Sequence, residues 1–381
     1  MKLRTVLTFT IIVAIFIAAN FYVGWNGLLF VRSSAAEWHP ALYWIPFWIV
    51  AFSYLIGRAR MLPGAMGRLL KVMGSYYFAL FEFAVLLLPL ADLAGWLLKR
   101  SGAVREVYVG VVGTVVLLLI AALMVWGSRN AWSPVVRSYS ISVPKSAEGR
   151  ETLRIAVASD IHLGNVVGNR HIGRLLDKVE GINPDLILLP GDVIDDSIEP
   201  FVRNRMADSL ARLKAMAPLG VYAVLGNHEY YGGHIEEYVK RMAEIGIRVL
   251  RDETVALEGG IQIAGRKDKA AESMDQIGRK PVAEMLAGLD KAKPIILLDH
   301  QPYAFSSAAE AGADVMLSGH THRGQFAPNH WITRRLFELD WGYMRKNGMH
   351  VIVSSGFGTW GPPIRLASRS EVIDLAVEFR K

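Results

Sequence analysis

Leu153-Arg154-Ile155-Ala156-Val157-Ala158-Ser159-Asp160-Ile161-His162 is the stretch that decides the fold. An apolar run rich in β-formers ends in a carboxylate and an imidazole two residues apart. The run predicts a buried strand over 153–158. On a strand that continued through them, Asp160 and His162 would point the same way and could reach one ion.

The same construction recurs outward along the chain. Apolar runs at 186–189, 221–225, 295–298 and 315–317 lead into Gly191-Asp192, Gly226-Asn227-His228-Glu229, His300 and Gly319-His320-Thr321-His322, and a further strand is expected at 351–354. Segments 172–179, 206–216, 235–245 and 302–311 have helical spacing. Strands alternating with helices argue an α/β fold with helices outside the sheet. Asp, Asn and His then gather at strand C-terminal ends, the usual mouth of such sheets.

Carboxylate, imidazole and amide oxygen without thiolate suit hard to borderline divalent ions. Asp192 has two oxygens and could bridge a pair of ions. Asn227 and His228 are adjacent and point apart, so Asn227 is assigned to metal and His228 to substrate, with Glu229 orienting it. Asp195 and Asp196 read as a loop salt bridge or helix cap. Tyr231 and His234 are placed at the pocket. His39, His171, His330 and His350 are treated as structural or peripheral.

The 381 residues lack cysteine, which excludes disulfides and thiolate metal sites. Charge is uneven. Residues 1–130 carry 11 Lys and Arg against 4 Asp and Glu, and the rest carries 31 against 31. The basic balance therefore belongs to the first third, and the electrically neutral remainder counts against a nucleic-acid partner. The expected division is a transmembrane region at 1–130, a linker about 127–134 and a catalytic domain at 131–381.

Four apolar stretches in the first part (5–25, 41–57, 76–98 and 107–126) approach the roughly 17–25 residues of a spanning helix, the second being short. Trp25, Trp38, Tyr43, Trp96, Tyr108 and Trp126 lie near their ends, as an interfacial belt would. The first run is longer than the roughly 7–15 apolar residues of a signal peptide, so it reads as a retained helix. Glu82 and Asp92 lie in the third stretch, Glu82 to pair on a neighbouring helix and Asp92 near an interface. Tyr76 and Tyr77 read as interfacial anchors. With four spans, Lys2, Arg4, Arg58, Arg60, Arg68, Lys71, Arg129 and Arg137 share one side, against Arg32, Lys99, Arg100 and Arg105 on the other. That bias places both termini and the catalytic domain in the cytoplasm, on the inner membrane.

Taken together, Asp160–His162, Gly191–Asp195, Gly226–Glu229, His300 and Gly319–His322 resemble the calcineurin-like metallophosphoesterase superfamily over about residues 150–380. The resemblance implies an α-β-β-α sandwich. It implies one ion on Asp160, His162, Asp192 and His322, and a second on Asp192, Asn227, His300 and His320. Asp192 bridges, and His228 assists from outside the ligand set. The ions of such families are Mn²⁺, Fe or Zn²⁺. Gly319-His320-Thr321-His322-Arg323-Gly324-Gln325 and Gly356-Phe357-Gly358-Thr359-Trp360-Gly361-Pro362-Pro363-Ile364-Arg365 are similar to a membrane-associated bacterial branch. Some of its members are described as hydrolases of UDP-2,3-diacylglucosamine. That branch often has Gly where Arg323 stands. Arg323 and Arg365 are candidate phosphate contacts.

The expected activity is hydrolysis of a phosphodiester or pyrophosphate bond, with a lipid-linked substrate such as UDP-2,3-diacylglucosamine as the candidate. Two alternatives stay open: a phosphomonoesterase or cyclic-nucleotide phosphodiesterase tethered to the membrane, and a non-catalytic membrane sensor with a metal-binding domain.

Overall fold

The computed structural model describes residues 3–33, 39–59, 62 and 64–380, the side chains of 3–5 excepted. Lys2, Trp38, Arg60 and the Arg4 side chain lie outside the described residues. The chain forms two compact units, Met1–Trp126 and Gly127–Lys381.

Among the described residues, three helices are long and apolar enough to cross a bilayer: Val6–Ser33, Gly64–Arg100 and Arg105–Trp132. The expected second span is shorter. Helix Pro40–Ala51 has 12 residues and stops where Phe52 leaves helical geometry (φ −100°, ψ 4°). At about 1.5 Å per residue it covers only ~18 Å of a ~30 Å hydrocarbon core. A four-residue turn, Ser53–Ile56, follows. It packs close to helix Gly64–Arg100, where a Cβ on Gly74 would meet the Tyr54 backbone nitrogen at 2.4 Å.

Polar side chains are satisfied inside this bundle. Tyr77, expected at an interface, is instead buried and donates its hydroxyl to Asn20 Oδ1 at 2.5 Å. Tyr22 donates to the Asp92 carboxylate. An unpaired polar group in hydrocarbon is costly, so inter-helix hydrogen bonds of this kind are expected.

The second unit has twelve strands: β1 (Val135–Val143), β2 (Thr152–Val157), β3 (Leu186–Pro190), β4 (Val221–Val224), β5 (Ile247–Leu250), β6 (Glu253–Ala256), β7 (Gln262–Gly265), β8 (Ile295–Leu298), β9 (Val315–Ser318), β10 (Gly342–Lys346), β11 (Met349–Val353) and β12 (Glu371–Phe379). They form two six-stranded sheets, ordered β1-β12-β2-β3-β4-β5 and β10-β11-β9-β8-β7-β6. Both are mixed. Strands β2 to β5 are parallel, and β12 runs antiparallel to β2 and parallel to β1. In the other sheet β7, β8, β9 and β11 are parallel, with β6 and β10 antiparallel at the edges.

Strands β3, β8 and β9 are buried at every position, as parallel strands covered on both faces must be. The side-chain alternation divides the core. Ile155, Val157, Leu188 and Val224 pack with Ile263, Ile296, Leu298 and Leu317 of the other sheet. Ala156, Ile187, Leu189 and Ala223 pack on Ile172, Leu175 and Leu176 of helix Asn169–Ile182. Leu297, Met316 and Val351 pack on Leu286 and Phe305. The 3.6-residue spacing of Ile172, Leu175, Leu176 and Val179 makes that helix amphipathic, and Asn183 ends it in left-handed geometry.

Candidate metal centre

Strand β2 ends at Val157, and the chain then turns sharply. Asp160 and His162 both take left-handed backbone angles (φ 52° each), so they do not continue the strand, and their convergence has another cause than strand pleat. Asp192 (φ 53°), His320 (φ 73°) and His322 (φ 48°) are left-handed too. Such angles cost non-glycine residues of order 1–3 kcal/mol each and persist where the surroundings over-determine them. The motif glycines belong to that enforcement. A Cβ on Gly226 would fall 2.1 Å from Asp192 Oδ1, and one on Gly319 would fall 2.1 Å from Asp160 Oδ2.

Four overlapping groups of side chains result among the described residues, two of them around His228 (with His162 and Asp192, and with Asp195 and Asp196). Of the remaining two, Asp160, His162 and His322 converge in one, Asp192, His300 and His320 in the other. His320 and His322, two apart in sequence, go to different groups. His162 Nε2 and His322 Nε2 are 2.9 Å apart, with Asp160 Oδ1 3.5 Å from the latter. In the second group His300 Nε2 stands 3.0 Å from Asp192 Oδ2, and Asn227 Oδ1 lies 3.2 Å from His300 and 2.8 Å from His320 Nδ1. Asp192 Oδ2 is also 3.8 Å from His162 Nε2, within reach of both groups. Neighbouring ligands about 2.1 Å from one ion stand about 3 Å apart, so this all-N/O donor set fits divalent metal.

The surroundings fix these side chains. His300 Nδ1 donates to the Pro190 carbonyl at 2.8 Å, which turns Nε2 toward Asp192. The His228 amide donates to Asp192 Oδ1 at 2.9 Å. Burial pushes the His320 imidazole down to about 3 and, with His162 and Arg365 adding to it, pushes His322 well below its usual range, whereas at His300 burial is outweighed by the Asp192 and Asp160 charges, which raise it well above its usual range. Burial raises Asp160. Burial also works to raise Asp192, but the neighbouring imidazoles of His300, His228 and His162 outweigh it and hold that carboxyl well below its usual range.

His228 sits beside both groups. Burial lowers its pKa, but Asp196 and the Asp192 and Asp195 charges outweigh that and lift it to about 9. Its Nδ1 is 2.7 Å from Asp196 Oδ1 and 3.5 Å from Asp195 Oδ1. Asp196 is thus the partner of His228, a role the sequence reading gave to Glu229. Glu229 instead accepts from the backbone amides of Asp192, Ile194 and Gly226, tying two ligand loops together. Asp196 was legible only as one acid among two.

Arg365 departs from its expected role. Its side chain is fully buried, its donors go to the Gly358 carbonyl and Ser368 Oγ, and its Nη2 lies 3.1 Å from His322 Nδ1. No face is left for a substrate, so it supports the ligand turn rather than contacting phosphate. Arg323 is half-buried, donates to the Ala367 carbonyl and stacks 4.1 Å over the Trp341 ring. Tyr231 and Trp360 rise beside His228 at ring distances of 5.7 and 6.3 Å.

The family model for calcineurin-like phosphoesterases matches residues 153–324, the segment carrying these motifs. A protein of Aquifex aeolicus (strain VF5), named uncharacterized metallophosphoesterase, is 36% identical over 245 residues, 64% of this chain and 91% of its own length. The chain belongs to the calcineurin-like phosphoesterases. A Danio rerio protein named "Transmembrane protein with metallophosphoesterase domain" is 34% identical over 299 residues, 74% of this chain and 67% of its own. That match covers more than residues 127–381 alone could supply. This phosphoesterase is therefore a hydrolase of phosphoester bonds, and its chain carries three helices long and apolar enough to cross a membrane.

Proposed function

We propose that this phosphoesterase uses a dinuclear centre to cleave a phosphodiester or pyrophosphate bond of a lipid-linked substrate, of which UDP-2,3-diacylglucosamine is one example. The observation that carries the reading is Asp192, one carboxylate within reach of two ligand groups with His228 beside both. Asp160, His162, Asp192 and His322 would hold one ion; Asp192, Asn227, His300 and His320 would hold the other. Mn²⁺, Fe or Zn²⁺ bound there supplies Lewis-acid polarisation of phosphoryl oxygens and lowers the pKa of a water.

The chain's own residues do the rest. Asp196 engages His228 Nδ1, which leaves Nε2 to donate to a phosphoryl oxygen or to the leaving oxygen. Water adds to phosphorus, the bond to the leaving oxygen breaks, and that oxygen takes the proton. Arg323, next to His322, is the remaining candidate for a phosphate contact. The α-β-β-α layering fits the division of the core, with one cluster shared by both sheets and two between a sheet and its helices.

Orientation follows the number of spans. With three, Arg32, Arg58, Arg60, Arg68, Lys71, Arg129 and Arg137 share the side of the catalytic domain, against Lys2, Arg4, Lys99, Arg100 and Arg105. The domain stays cytoplasmic on the inner membrane, and the N-terminus moves to the other side.

The test is hydrolysis by the detergent-solubilised full chain loaded with Mn²⁺, on bis-p-nitrophenyl phosphate and p-nitrophenyl phosphate. Diester cleavage that vanishes in His320→Ala supports the reading. Preference for the monoester favours the phosphatase alternative and overturns it.

A further inference from the structure

The turn carrying the last metal ligand packs on a short helix, His330–Leu336. The approach is close: a Cβ on Gly324 would meet Asn329 and His330 backbone atoms at 2.5 Å. Thr333 ties the helix inward by donating to Asp340 Oδ2 at 2.6 Å. The outer face is different. Trp331, Ile332 and Leu336 are 65%, 58% and 66% exposed. Single exposed apolar side chains are ordinary, but three large ones within six residues are not.

At about 100° per residue, Trp331, Arg335, Ile332 and Leu336 share one side of about 140°, away from Thr333. Arg334 is exposed next to them. Neither arginine forms an ion pair among the described residues. Trp with aliphatic residues and unpaired arginines is the composition of a helix that lies in a lipid headgroup layer. The chain itself keeps a bilayer at hand. The last spanning helix ends at Trp132, and β1 begins at Val135. The same region reaches the metal centre, because Phe337, directly after the helix, stands 6.0 Å from the His320 ring.

We propose that helix His330–Leu336 is an interfacial element that seats the mouth of the metal centre against an anionic lipid surface. Its apolar face enters the headgroup boundary while Arg334 and Arg335 meet lipid phosphates. Where the proposed lipid-linked substrate holds, its phosphoryl group then reaches the centre from the headgroup layer without leaving the bilayer surface. The docking itself stands without that reading.

The absence of cysteine makes the test direct. Ile332→Cys and Leu336→Cys are made separately in the full chain and labelled with an environment-sensitive fluorophore. Glu151→Cys is the control, an exposed position before β2, at the opposite strand ends from the metal ligands. The proteins are placed in nanodiscs of phosphatidylcholine, with or without phosphatidylglycerol, carrying doxyl-labelled lipid. Labels at 332 and 336 lose about twofold in emission, more with phosphatidylglycerol, while the label at 151 is unchanged. Quenching at 332 and 336 no greater than at 151 overturns the proposal. So does a signal that follows protein concentration and ignores the doxyl lipid, which marks a contact between copies. Equal quenching in zwitterionic discs overturns the part given to the arginines. No arm reads hydrolysis, so failure here and failure of the phosphoesterase reading are separate results.

Discussion

The two units use apolar residues in opposite ways. In the three helices long and apolar enough to cross a membrane, only 11%, 17% and 6% of the most apolar window is buried, so most of their large side chains face outward. In the metal unit β3, β8, β9 and β11 have no exposed position. The first arrangement needs hydrocarbon as its solvent; the second makes its own. Chemistry sits with the second. Fixed ligands need a packed frame, and five positions strained into left-handed geometry need surroundings that hold them there.

That contrast can be broken most severely at Asp192, the carboxylate within reach of both groups. Asp192→Asn is expected to lower occupancy of both ions and turnover by about 10³-fold or more, leaving the membrane helices intact by circular dichroism. Two ions still bound with unchanged affinity would remove the bridge. His228→Ala is expected to keep metal and lose about 10²–10⁴ in kcat. Equal loss of bound metal, read by elemental analysis, would make His228 a ligand instead.

Packing gives the next effect. Leu188→Ala, between the sheets, should cost about 2–5 kcal/mol, whereas Leu118→Ala, 64% exposed on a spanning helix, should cost under about 0.5 kcal/mol. Thermal unfolding of the full chain compares them, and similar losses would mean that the membrane unit is packed like the metal unit.

A pH dependence is expected away from the candidate metal groups, spread over more than two pH units. Burial pushes His171 down to about 4, against the backbone bond to the Phe357 carbonyl. Its neutral form is the folded form, so its contribution is present above about 6.5 and is lost as pH falls toward 4. At ~1.4 kcal/mol per pH unit that is about 3 kcal/mol in all. His171→Phe should flatten this slope in denaturant titrations. An unchanged slope would assign the acid sensitivity to other groups.

Much of the frame was legible before any coordinates. Strands at 153–158, 186–189, 221–225, 295–298, 315–317 and 351–354 match β2, β3, β4, β8, β9 and β11 to within two residues at either end. Each is a continuous apolar run, which declares itself locally. The nine-residue β1 and β12 are less visible. Val135-Val136-Arg137-Ser138-Tyr139-Ser140 mixes polar and apolar positions, and β1 is a strand because it pairs with a segment more than two hundred residues away.

The sequence by itself determined the candidate donors and their address. Seven Asp, Asn and His donors stand after apolar runs, no thiolate is present, and long apolar helices precede them, all properties of residue type and spacing. Tertiary structure decided the grouping. It sent His320 and His322 to different groups, gave Asp196 rather than Glu229 to His228, and buried Arg365 behind His322 instead of exposing it to phosphate. It also shortened the second apolar stretch to a helix of 12 residues. The reason is physical. Hydropathy and residue type act along the chain, whereas a ligand's direction is set by left-handed turns and by the backbone and side chains brought against it from distant segments.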